Sequence, residues 1–307
     1  MEKRKLGKSD LMISELGLGC MSLGTDETRA QKIIEAALEE GINYFDTADL
    51  YDYGINEKIV GDSLKAVRDK VIIATKVGNK PNQTRDGWTW DPSKAYIKEA
   101  VKQSLKRLQT DYIDLYQLHG GTLEDPMEAT IEAFDELVNE GIIRYYGISS
   151  IRPNVIREYV SNSNIVSVMM QYSLLDRRPE ETVLPLLNQN HISVVARGPL
   201  AKGLLSNKSI EKASESIIEK GYLDYSFTEI EELVSTIQSK MLENRSFTEL
   251  ALQYVLSQPS VSSVIAGASS IEQVKDNATA VKRSPLSEDE ISLLKEISKE
   301  NFYLEHR

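Results

Sequence analysis

Apolar residues recur along the chain in two periods. Short runs rich in Val, Ile and Leu end in polar groups, and between them lie longer stretches with apolar positions three and four apart. The short runs at 16–24, 42–45, 71–76, 112–119, 142–148, 166–170, 192–196 and 261–266 predict strands. Residues 27–40, 57–67, 93–108, 127–139, 154–161, 180–187, 229–241, 247–257 and a stretch from Ile271 predict helices. Residues 4–14 read as a small hairpin turning through Gly7-Lys-Ser-Asp10. Gly41 and Gly141 each close a helix in a left-handed turn and release a strand. Asp91-Pro92 and Asp125-Pro126 read as cap and first position of the next helix, and Ser246/Glu249 and Ser287/Glu290 as capping boxes. The segment 200–228 breaks the pattern.

Eight strands joined mostly by helices imply a parallel sheet, open or closed. The glycine-rich exit Leu16-Gly-Leu-Gly19 lacks the third glycine of a dinucleotide fingerprint. Eight units without that fingerprint favour a closed (β/α)8 TIM barrel, with the N-terminal hairpin and extra C-terminal helices added, as one domain over residues 1–307. In such a barrel the site lies where the strand C-termini feed the loops.

That geometry gives the strand-terminal residues their interest. Asp46, Lys76 and His119 end the second, third and fourth strands, and Tyr51 follows in the loop after Asp46. Counting back by two, Tyr44, Ala74 and Gln117 share their inward faces. Each residue has a plain reading of its own: Asp as a turn former, Lys as a surface charge, His as a core residue. His191, at the start of a strand, reads as such a core histidine, and His306 as an inert tail residue. Three neighbouring strands delivering an acid, a base and an imidazole to one mouth outweigh those readings. A phenol, with a pKa of about 10, is a weak acid, and an adjacent ammonium favours its anion. An aspartate would hold the ammonium, and a histidine N–H would place a carbonyl oxygen under the phenol. Such a set protonates a carbonyl oxygen while something else attacks the carbon.

Composition narrows the partners. With 36 Lys+Arg against 47 Asp+Glu the net charge is −11, which argues against nucleic acid or an anionic membrane. No apolar run approaches the ~20 residues of a membrane span. The charged N-terminus lacks a signal-peptide core, and the single cysteine, Cys20, suits a reducing cytoplasm. No Cys/His pair has zinc-site spacing, so no metal is expected.

The sequence resembles the aldo-keto reductases. The resemblance rests on Leu16-Gly-Leu-Gly-Cys-Met21, Phe45-Asp-Thr-Ala-Asp-Leu-Tyr51, Thr75-Lys76, Asp111-Tyr-Ile-Asp-Leu-Tyr-Gln-Leu-His119, Gly147-Ile-Ser-Ser150, Gln171-Tyr-Ser-Leu-Leu175, Gly198-Pro-Leu-Ala-Lys-Gly-Leu-Leu205 and the run Gly267 to Asn277. These motifs cover nearly the whole chain in order, and the bacterial general-stress and uncharacterised oxidoreductases are the branch most resembled. The resemblance implies NADP(H)-dependent reduction of an aldehyde or ketone, with Tyr51 as general acid, Lys76 and Asp46 tuning it and His119 orienting the carbonyl. It assigns Ser149, Ser150 and Gln171 to the nicotinamide end of the cofactor. Gly19, Cys20 and Met21 are further cofactor contacts. Gly198, Pro199, Leu200, Ala201, Gly203 and Leu204 should wrap the pyrophosphate with backbone N–H groups. Gly267, Ser269, Gln273 and Asn277 should meet the adenosine phosphate, Ser270 and Gln273 forming a capping box, with Lys208 and Lys275 the nearest cations.

Two departures from relatives stand out. Arg197 occupies the position where many stack an aromatic ring on the nicotinamide, and a planar guanidinium can stack there too. Gly120-Gly121 replaces a bulkier Trp-containing sequence after His119. Trp88 and Trp90, in the loop after the Lys76 strand, read equally as a substrate wall or as packing. Three other readings remain: a Schiff-base lyase using Lys76, an NADPH-binding redox sensor of slow turnover, and a metal hydrolase, for which His119 lacks a partner.

Overall fold

The computed structural model describes residues 1–206, 213–243 and 245–307. A hairpin of β1 (Lys3–Lys5) and β2 (Met12–Ser14) comes first, then β3 (Leu16–Gly19), α1 (Glu27–Glu39), β4 (Tyr44–Asp46), α2 (Ile55–Leu64) and β5 (Ile72–Val77). A second hairpin, β6 (Asn79–Pro81) and β7 (Trp88–Trp90), precedes α3 (Lys94–Leu108), β8 (Ile113–Leu118), α4 (Met127–Asn139), β9 (Ile143–Ser149) and α5 (Pro153–Asn162). Then come β10 (Ser167–Gln171), α6 (Val183–Gln189), β11 (Ser193–Arg197), α7 (Glu215–Lys220), α8 (Phe227–Met241), α9 (Phe247–Leu256), β12 (Val261–Gly267), α10 (Ile271–Lys282) and α11 (Glu288–Ile297).

β3, β4, β5, β8, β9, β10, β11 and β12 close into an eight-stranded parallel barrel in that order. The (β/α)8 fold expected from the alternation is the fold observed. Alternation along the strands divides the core. Tyr44, Ala74, Leu115, Met169 and Val195 point into the barrel, whose floor is stoppered by Leu6, Leu11 and Ile13 of the first hairpin. Phe45, Ile73, Tyr116 and Ile148 point outward against the helices. No helix among the described residues is long and apolar enough to cross a membrane.

Several local expectations change. Ser93, not Asp91, caps α3 by accepting from the Tyr96 N–H, while Asp91 accepts from the Ser93 N–H two residues on, a turn that delays the helix. Asp125 caps nothing; its carboxylate accepts from the Thr122 N–H and the Trp90 indole N–H. The helix expected at 180–187 splits into a 3-10 turn, Arg178–Glu180, and α6, which starts just ahead of Pro185, a residue with no N–H to donate. Ser246 caps α9, but Glu249 pairs with Arg245 instead of completing a box; Ser287 and Glu290 do complete theirs. His191 is not a core histidine. It is exposed, with φ +55°, and makes the left-handed helix exit that Gly41 and Gly141 make elsewhere.

Candidate active site

The barrel's stagger assembles the site. β4 pairs with β5 so that Asp46 lies opposite Ala74, and β5 pairs with β8 so that Lys76 lies opposite Gln117. Asp46, Lys76 and Gln117 all point inward, Lys76 and Gln117 at one level and Asp46 one inward step below them, and the His119 N–H continues the ladder by donating to the Val77 carbonyl. The Lys76 side chain, only 1% exposed, reaches back to Asp46 Oδ1 at 2.5 Å and to the Thr47 carbonyl at 2.7 Å. Its third donor meets the Tyr51 phenol oxygen at 3.4 Å. Burial works against the ammonium, but Asp46 and then Tyr51 outweigh it and raise the Lys76 pKa, so the group stays charged. Gln117 donates to the other oxygen of Asp46 at 3.3 Å. The alternation had put Gln117 on the inner face without giving it a task; its task is to hold the aspartate.

His119 meets Tyr51 edge-on, with ring centroids 6.0 Å apart. Burial first, then the charges of Lys76 and Arg197, push its pKa down to about 3, so the imidazole is neutral near pH 7. Tyr51 sits in a loop bent back by two left-handed residues, Asp52 at φ +48° and Tyr53 at φ +52°. Arg107 packs across Gly54, where a Cβ would meet its Cδ at 2.7 Å, and pairs with the buried Glu57.

A cavity of about 540 Å³ opens from Asp46 and Tyr51 and runs to the first turn of α10. Of the residues expected at a cofactor, Gly19, Met21, Gln171, Arg197, Gly198, Pro199, Leu200, Gly203, Gly267, Gln273 and Asn277 line it. Cys20 does not: the chain turns into a 3-10 helix after β3, and the thiol is fully buried in the core. Ala201 and Leu204 also point into the core. Ser149, Ser150 and Ser269 lie outside the lining; Ser150 Oγ accepts from the Arg152 N–H. Lys208 lies outside the described residues. Lining residues without a forecast include Ser22, Tyr222, Thr248 and Asp276. Tyr222 comes from the segment 200–228, whose lack of period hid it.

The groups fit a dinucleotide. Gln171 stands at the Tyr51 end, a helix N-terminus at the other, and glycines between. A Cβ on Gly267 would meet Ser22 Oγ at 2.3 Å, so the wall there is bare backbone. The amides of Ala201, Gly203, Leu204, Leu205 and Ser206 donate to carbonyls inside their own loop, which leaves fewer for a pyrophosphate than the motif suggested. The tryptophans stand apart from the cavity lining. Trp90 lies against Gly78 and Gly120, where added Cβ atoms would come within 2.5 and 3.3 Å of its ring, and Trp88 is 53% exposed.

The profile of the Aldo/keto reductase family matches residues 15–299. The chain belongs to this family. Its chemistry is therefore that of an oxidoreductase working on carbonyl groups with a nicotinamide cofactor. An uncharacterized oxidoreductase, YqkF of Bacillus subtilis, is 60% identical over 307 residues, 100% of both chains. The holo form of aldo-keto reductase AKR11C1 from Bacillus halodurans superposes with a TM-score of 0.94 at 58% identity, over 100% of this chain and 99% of that one. The NADH-specific methylglyoxal reductase of Escherichia coli is 30% identical over 97% of this chain and 98% of its own.

Proposed function

We propose that this aldo-keto reductase is an NADP(H)-dependent reductase of aldehydes and ketones in which Tyr51 is the proton donor. The observation that carries the reading is the short chain Asp46–Lys76–Tyr51 at the inner end of the cavity. When bound, the reduced nicotinamide supplies the hydride to the carbonyl carbon. Tyr51 gives its proton to the carbonyl oxygen, and the Lys76 ammonium stabilises the phenolate left behind. Asp46, held by Gln117, keeps that ammonium aimed. His119, neutral, offers an N–H that can position the carbonyl oxygen.

The same geometry counts against a lyase. Lys76 is charged, buried and commits all three donors, so it has no lone pair to attack a carbonyl.

Cofactor choice turns on α10, since one relative is named NADH-specific. Ser270 caps α10 by accepting from the Gln273 N–H, as expected. The Gln273 side chain departs from the expected box: its Oε1 accepts from the N–H and hydroxyl of Ser269 at 2.7 and 3.1 Å. A 2′-phosphate at Ser269 would have to displace Gln273, and Asp276 lines the same end. The positive helix end still favours an anion, by roughly two- to fivefold. NADPH is therefore preferred over NADH by a small margin. Fluorescence titration with both cofactors, and oxidation of each against a panel of aldehydes, ketones and dicarbonyls, tests the reading. NADPH should bind more tightly and be oxidised with turnover; equal or tighter NADH binding overturns the cofactor choice, and no turnover with any carbonyl overturns the reductase.

A further inference from the structure

Gln171 ends β10 and lines the cavity, and its amide is held from two sides. Its Nε2 donates to Asp176 Oδ2 at 2.8 Å and to the Tyr222 hydroxyl at 3.2 Å, which uses both donors of the amide. Its Oε1 accepts one long bond, 3.4 Å, from the exposed Arg197. The orientation is fixed by chemistry at both ends: a carboxylate only accepts and a guanidinium only donates. Toward the cavity, Gln171 is an acceptor.

Asp176 and Tyr222 each sit in a tight turn closed by a pair of backbone hydrogen bonds, Ser173 with Asp176 and Tyr222 with Tyr225. The segment after α11 grips both turns. Asn301, 3% exposed, accepts from the Arg177 N–H at 2.7 Å and donates to the Leu175 carbonyl at 3.1 Å, spanning the two flanks of Asp176. Lys299 donates its N–H to the Tyr225 hydroxyl at 2.6 Å and its ammonium to the Asp224 carbonyl at 2.7 Å. Asp176 is also gripped by Arg178 at 2.7 and 2.8 Å.

We propose that Asn301 is a positioning residue for the cofactor amide: by holding the turn that carries Asp176, it keeps Gln171 presenting a carbonyl oxygen, which selects a ring substituent that can donate an N–H. The proposal rests on the nicotinamide reading of the cavity. A carboxamide supplies the N–H; a methyl ketone in its place does not.

The test uses the full chain and isothermal titration calorimetry. NADPH is compared with its 3-acetylpyridine analogue, in which a methyl ketone replaces the carboxamide, and 2′-phospho-ADP-ribose serves as a control without the ring. The unmodified protein should favour NADPH over the analogue by at least ~10-fold, because the analogue leaves a polar group unpaired. Asn301→Ala should shrink that ratio to within ~3-fold while 2′-phospho-ADP-ribose binds as before, a split that general destabilisation would not produce. Asn301→Asp keeps the acceptor for Arg177 and loses the donor to Leu175, so it should give an intermediate ratio and stands in if the alanine variant does not fold. A folded Asn301 variant that keeps the full ratio overturns the positioning role. An unmodified protein that binds NADPH and the analogue equally overturns the Gln171 acceptor, and one that binds no NADPH overturns the cofactor reading beneath it.

Discussion

Tyr51 and Tyr53 stand two residues apart, and the Lys76 ammonium is aimed at Tyr51. Tyr51→Phe should therefore lower kcat by at least ~100-fold with cofactor affinity kept, as loss of a general acid does; Tyr53→Phe should do far less, and steady-state kinetics with a cofactor titration would expose the reverse. Lys76→Met should slow reduction at neutral pH and move the pH–rate profile, and Asp46→Asn should act in the same direction. Unchanged profiles in both variants would remove Lys76 from the proton chemistry. The strand-end residues were legible because a strand alternates strictly, so one inward residue fixes the rest. The task of Gln117 was not. It depends on the stagger between strands, which sets Asp46 opposite Ala74 and Lys76 opposite Gln117, and no single strand carries that information. The same limit hid the burial of the Cys20 thiol, whose direction is set by the 3-10 turn after β3.

At the scale of elements, the long α1, α3 and α4 and the buried strands were readable because each repeats its period over several turns or alternations. The three-residue strands β6 and β7 and the six-residue α7 are too short to show one. The β6–β7 hairpin gives the tryptophans their meaning. Trp90 spans from Gly78 to the loop after His119 and donates its indole N–H to Asp125 at 2.8 Å. Trp90→Ala should cost ~3 kcal/mol in thermal or denaturant unfolding, by loss of a large packed ring, while Trp88→Ala should cost little. If KM ratios between aromatic and small aldehydes moved without any loss of stability, Trp90 would be a substrate wall instead. The N-terminus of α10 makes the other element-scale forecast. Ser269→Arg should widen the preference for NADPH, and Ser269→Asp should reverse it by setting like charges together; Kd values for both cofactors decide, and no response to either change would move the phosphate away from Ser269.

For the whole molecule, two buried groups set opposite slopes on stability against pH. Asp49, behind the Tyr51 loop, is 5% exposed, and its Oδ1 is buried without a partner. Burial, then the neighbouring Glu57, raise its pKa from 3.8 to about 8, against the opposing pull of Arg107. The native protein thus holds a proton that the unfolded chain has lost, so this stability is complete below pH 3.8 and disappears as pH rises through about 8. His119 works the other way. Its pKa falls from 6.5 to about 3, so its stabilisation is present above pH 6.5 and is lost as pH drops toward about 3. Between pH 3.8 and 6.5 each group contributes one proton of opposite sign and the slopes cancel. From pH 6.5 to about 8 Asp49 acts alone, and stability should fall by up to ~1.4 kcal/mol per pH unit, a few degrees in Tm over the interval. Asp49→Asn should flatten that limb and uncover the His119 slope on the acid side, so that Tm falls as pH drops from 6.5 toward 3.8. His119→Gln should instead remove the cancellation, so that Tm declines steadily with rising pH from the acid side onward. Calorimetric Tm values from pH 3.8 to about 8, within the window these two groups define, would settle it: a limb above pH 6.5 that persists in Asp49→Asn would mean that Asp49 is ionised in the native state and that the arginine, not the burial, wins.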